Sequence, residues 1–114
     1  MDEILRLGDL EAQVLTAVAR IGQNAYGVPI RSEVGRQAGR EVSVGALYTV
    51  LERLEQKGYV RSWEGEPTPQ RGGRAKRFFK IEGLGERALA QKEQEYNRRA
   101  AGLRARLSLQ GGEA

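Results

Sequence analysis

The sequence predicts a mainly α fold with one β-hairpin, and three observations carry that prediction. Apolar residues recur at spacings of three and four in four separate stretches, the pattern of amphipathic helices. Between the third and fourth stretches the pattern switches to strand-like alternation on either side of a Gly/Pro-rich segment. A chain of 114 residues suits one domain with a single core.

The elements follow in order. Leu7, Leu10, Val14, Val18 and Ile21 form the stripe of a first helix. Asp9 and Glu11 lie near its start, where carboxylates favour the helix dipole, and Gly22 ends it. A second helix follows Tyr26-Gly27, with Pro29 in its first turn and Ile30, Val34 and Ala38 on one face. Gly39 stops it and opens a four-residue link, Gly39-Arg40-Glu41-Val42. Ser43 is then the N-cap of a third helix, with Leu47, Val50, Leu51 and Leu54 facing inward and Gly58 at its end.

Tyr59 to Glu64 alternates as a strand, and Lys76 to Ile81 is its partner across the loop from Gly65 to Gly73. Trp63 is expected to be a strand residue packed beside the third helix, and Tyr26 to pack in the core or at the start of the second helix rather than to form a site. From Leu84 to Leu107 the chain is helical again. Leu89, Tyr96, Ala100, Leu103 and Leu107 lie on a heptad-like seam that suits a partner helix, with Glu93 and Gly102 as blemishes. Arg98, Arg99, Arg104 and Arg106 read as the solvated side of that helix. Residues 110–114 read as a disordered tail. No internal repeat is visible.

Composition narrows the function. The chain has no cysteine and no histidine, which excludes disulfides, zinc fingers, haem ligation and Ser-His or Cys-His nucleophilic chemistry. No clustered carboxylates suggest an enzyme, and neither a cofactor nor a metal is expected. No apolar run approaches the roughly 20 residues of a membrane span. Met1-Asp2-Glu3-Ile4 has no basic and apolar leader pattern, so a cytoplasmic location is expected. The net charge is +4, and it is focused. Residues 66–80 hold Arg71, Arg74, Lys76, Arg77 and Lys80 against Glu66 alone, whereas residues 1–65 are nearly balanced. Focused positive charge on a hairpin points to an anionic partner.

Three helices followed by a basic hairpin is the order of a winged helix-turn-helix, with the tight turn between its second and third helices. The predicted organisation is a DNA-binding domain over 1–82, a dimerisation helix over 83–109 and the tail. On the third helix, Ser43, Gly45, Tyr48, Thr49 and Arg53 are the candidate DNA contacts. Gly45 permits close backbone approach, and Tyr48 and Thr49 bring hydroxyls near a helix N-terminus. On the wing the candidates are Arg71, Arg74, Lys76 and Arg77, facing phosphate or the minor groove.

Four pieces of the chain also resemble a known family. They are Leu7-Gly8-Asp9-Leu10-Glu11, the run from Ala25 to Ile30, the run from Ser43 to Leu54, and the run from Arg71 to Phe79. In this order and spacing they are similar to the PadR family of bacterial transcriptional regulators, over roughly residues 5–90. The resemblance implies a homodimeric winged-helix repressor on a two-fold site in double-stranded DNA, with the last helix crossing to the partner. The single short C-terminal helix resembles the compact subgroup. The resemblance also implies a small aromatic or phenolic effector of unknown identity as a further ligand, since some members bind one. A second function class stays open, a winged-helix module for protein–protein contact without nucleic acid, and RNA binding is a third. The focused charge favours DNA over the second. The scarcity of exposed aromatics for base stacking disfavours the third.

Overall fold

The computed structural model describes residues 7–66 and 75–111. These form α1 (Asp9–Ile21), a 3-10 turn (Gly22–Asn24), α2 (Gly27–Ala38), α3 (Val44–Gln56), β1 (Val60–Glu64), β2 (Arg77–Ile81) and α4 (Gly83–Gly111). The fold class is the one expected from the sequence. Val14 and Val18 of α1, Ile30 and Val34 of α2, and Leu47, Val50, Leu51 and Leu54 of α3 are all at most 5% exposed. Burying each of these side chains contributes about 1.5–3 kcal/mol, which is what drives the three stripes together.

The turn between α2 and α3 is built locally. Gly39 ends α2 in the left-handed region (φ 71°, ψ 19°), and its N–H donates to Gly35 O at 2.9 Å. A residue with a Cβ would cost about 1–2 kcal/mol there. Val42 is then buried, and its carbonyl accepts from Arg31 Nε of α2. Ser43 caps α3, its Oγ accepting from the Ala46 N–H at 3.1 Å.

β1 and β2 pair antiparallel, from Val60 opposite Ile81 to Glu64 opposite Arg77. The other edge of β2 meets the segment before α2. The Phe79 N–H donates to Ala25 O at 2.8 Å, and Tyr26 bridges Phe78. The hairpin is thereby tied to the first turn of α2. Its faces alternate as strands require. Ser62 donates to Glu55 of α3 at 2.8 Å and Phe79 is buried, so this face looks at α3. Trp63 therefore does not pack beside the third helix. It lies on the opposite face, 41% exposed, stacked on Phe78 with centroids 6.0 Å apart.

The first turns of α4 belong to the body. Ala88 is buried, Leu84 and Leu89 pack against the core, and Lys92 Nζ donates to Leu7 O (3.0 Å) and Asp9 Oδ1 (3.1 Å) at the start of α1. After that anchor the helix leaves the body, and residues 101–109 are all exposed. This projection makes the molecule 68 Å long against 32 and 22 Å. The seam is thus divided. Leu89 packs within its own chain, because α1 lies beneath that turn, whereas Tyr96, Leu103 and Leu107 stand in solvent. The helix also runs to Gly111, past the expected end at 109, and residues 112–114 lie outside the described residues.

Two buried polar groups carry predictions. Glu11 joins the start of α1 to the end of α3, its carboxylate accepting from the Gly8 N–H and from Lys57 Nζ, both at 2.9 Å. Burial pushes this carboxyl up, but the Gly8 bond and the charges of Lys57 and Arg53 outweigh it and hold the carboxyl below its ordinary 4.5. A lowered folded-state pKa adds stability that is full above 4.5 and fades as pH falls through the lowered value. Glu11→Gln should therefore cost roughly 1 kcal/mol at pH 7, since Lys57 is partly solvated. Melting curves of the two proteins should converge on acidification; a gap independent of pH would exclude the charge as its source.

The Tyr59 side chain is fully buried, and its hydroxyl has no partner among the described residues. Burial pushes its pKa up, and the Glu11 charge adds to that. An unpaired buried hydroxyl costs about 1–3 kcal/mol, so Tyr59→Phe should leave the melting temperature unchanged or raise it. A clear drop would mean that the hydroxyl has a partner.

Candidate nucleic-acid interface

The outward face of α3 and the α3-facing side of the hairpin form one concave surface. Gly45, Tyr48, Thr49 and Glu52 line it from the helix, and Arg77 lines it from β2. Gly45 has open space where a side chain would stand, so the backbone there is accessible to a phosphate. Tyr48 is 40% exposed and Thr49 is exposed. Ser43 is exposed at the cap, with its oxygen accepting from Ala46 and its hydroxyl hydrogen free to donate outward.

Not every candidate comes to this surface. Arg53 is exposed on the flank that faces α1, where its charge acts on Glu11, and it does not line the concavity. On the wing, Arg77 lies near α3, its Nη2 3.9 Å from Glu55 Oε1. At this distance and with the Arg77 side chain about half exposed the pair is weak, which leaves the guanidinium available to an anion. Lys76 is exposed, with Nζ 4.3 Å from the Tyr26 ring centroid. That cation–π contact holds the ammonium at the start of β2 beside α2. Arg71 and Arg74 lie outside the described residues.

Sequence reasoning missed Val28 and Val44. They are 72% and 52% exposed and, with Tyr48, line a shallow, mainly apolar groove that runs along α2 and the following link to the start of α3. Val44 sits one turn before Leu47, where periodicity alone continues the buried stripe, but the helix there has passed the edge of the core. Its position directly after the Ser43 cap was the available signal, because the first turn of a recognition helix meets base edges. Apolar side chains there suit thymine methyl groups, hydroxyls suit phosphates or base edges, and Glu52 suits the cytosine amino group. Among the described residues no cluster of His, Cys, Asp or Glu could hold a metal, and no helix is long and apolar enough to cross a membrane.

Known proteins match this architecture. A PadR-like transcription factor from Bacteroides fragilis superposes with a TM-score of 0.70 at 22% identity, covering 84% of this chain and 87% of that one. A PadR family transcription regulator from Clostridium difficile R20291 gives 0.68 at 22%, covering 88% and 99%. A PadR-like transcriptional regulator from Bacillus cereus gives 0.67 at 17%, covering 86% and 90%. At these identities the likeness shows the shared fold. No curated protein sequence matches the chain. The family model described as transcriptional regulator PadR-like matches residues 14–91, from the middle of α1 into α4. With two-thirds of its length under that match, the chain belongs to the PadR-like family of DNA-binding transcriptional regulators.

Proposed function

We propose that this regulator acts as a homodimeric repressor on a two-fold symmetric operator. In each copy α3 enters the major groove, and the wing lies on the adjacent backbone or minor groove. The observation that carries the reading is the single concave surface shared by Gly45, Tyr48 and Thr49 of α3 and by Arg77 of β2, with Lys76 exposed just before β2 over the Tyr26 ring. The exposed Tyr96, Leu103 and Leu107 on the projecting part of α4 support pairing of two copies. Residues 1–82 then form the DNA-binding unit, and 83–109 carry the dimerisation helix.

The test is the salt dependence of DNA binding. Every phosphate that the protein no longer neutralises should flatten the plot of log affinity against log salt by about 0.9. Replacing Lys76 and Arg77 together by alanine should lower the slope by roughly 2 and weaken all sequences alike. Folding should be nearly unchanged, because both side chains are exposed. An unaltered slope in the folded double variant would remove the wing from the interface. A wild-type affinity insensitive to salt would favour a protein–protein module instead.

A further inference from the structure

We propose that Gly27 is a positioning residue for DNA recognition: its missing side chain is the seat that holds the Tyr48 phenol in place on α3. A Cβ built at Gly27 would overlap the Tyr48 hydroxyl and fall 3.1 Å from Cζ and 3.5 Å from Cε2. Tyr48 thus reaches back across the groove from α3 and rests its ring tip on the first residue of α2. Gly27 does not hold a positive φ, so the backbone itself does not require glycine. The close approach does.

The local bonding decides which partner must yield to a larger residue. Ala25 accepts from the Phe79 N–H at 2.8 Å, Tyr26 bridges Phe78, and the Ile30 N–H donates to Tyr26 O at 3.1 Å. The chain entering Gly27 is therefore pinned by the hairpin on one side and by α2 on the other. The atom in the way is the far end of a side chain that is 40% exposed and can rotate toward solvent. Gly27→Ala then keeps the fold and moves Tyr48. Alanine also suits the first turn of a helix better than glycine. Because Tyr26 carries Lys76 over its ring, the same two residues set the phenol of α3 and a cation of the wing against one frame.

This inference rests on Tyr48 as a DNA contact, and the experiment separates the two. Wild type, Gly27→Ala, Tyr48→Ala and the double variant are titrated with an operator selected from random DNA and with unselected DNA. Tyr48 ring resonances are followed by NMR in the free proteins. Gly27→Ala should lower operator affinity by no more than Tyr48→Ala does, within roughly 5- to 150-fold. It should shift the Tyr48 ring resonances and hold its melting temperature. Added to Tyr48→Ala it should do nothing further, the signature of one shared interaction. Wild-type affinity in Gly27→Ala, with Tyr48→Ala impaired, would overturn the positioning role and leave the Tyr48 reading standing. Additive losses in the double variant would place the effect of Gly27 elsewhere and overturn it. Unfolding of Gly27→Ala would show that the phenol does not yield, and would overturn it equally. Normal affinity in Tyr48→Ala would remove the DNA contact and this inference together.

Discussion

Replacing Leu103 and Leu107 by glutamate should convert the proposed dimer to a monomer and lower operator affinity by about 100- to 10,000-fold. Both side chains are more than half exposed, on the part of α4 that has left the body, with Tyr96 two turns earlier at 70%. One copy alone leaves these apolar surfaces in water, and in the proposed dimer a second copy would cover them. Two carboxylates per helix on the pairing face would place like charges opposite one another in an apolar contact, which costs more than the burial returns. The large DNA effect has a separate origin. Two joined recognition helices make the second half-site encounter intramolecular, and half-sites about 34 Å apart match one turn of DNA. The winged-helix body should still fold, since its link to α4 runs through Ala88, Leu89 and Lys92. Sedimentation checks the first claim and DNA titration the second. A variant that still sediments as a dimer would move the interface away from this seam.

What the sequence made legible was periodic or local. The stripes of α1, α2 and α3, the Gly39 stop and the Ser43 cap all depend on neighbours within a turn or two, and each is present as expected. The hairpin was legible as two alternating runs, but alternation defines two faces without saying which one meets α3. That is why Trp63 lies on the face opposite to the expected one. Arg53 follows Thr49 by one turn and so shares its side of α3 by spacing, yet a helix face is wide, and the flank of Arg53 turns toward Glu11. Leu89 fits the seam by register, but register cannot tell where α1 stops supporting α4. The contacts that place the site join residues far apart in the chain: Glu11 with Lys57, Phe79 with Ala25, and Gly27 with Tyr48. No short window of sequence contains both members of any of these pairs.

Tyr48→Ala should cost about 1–3 kcal/mol on the selected operator and less on unselected DNA. Among the hydroxyl-bearing residues of α3, Tyr48 reaches furthest from the helix axis, and it alone borders both grooves, the apolar one toward α2 and the one toward the wing. Thr49 lies one residue on, with a shorter reach, so Thr49→Ala should cost less. Phosphates are met on every sequence alike, whereas base edges match only on the right one. The ratio of the two losses therefore assigns the contact. A loss on the operator several-fold larger than on unselected DNA marks a base-edge contact in the major groove. Equal losses, together with a salt slope flattened to the same degree on both DNAs, would make Tyr48 a phosphate contact. Sequence reading would then fall to Thr49, Glu52 and the exposed Val44. Replacing thymine by deoxyuridine in the operator, which deletes only the methyl group, would detect the valine contribution directly.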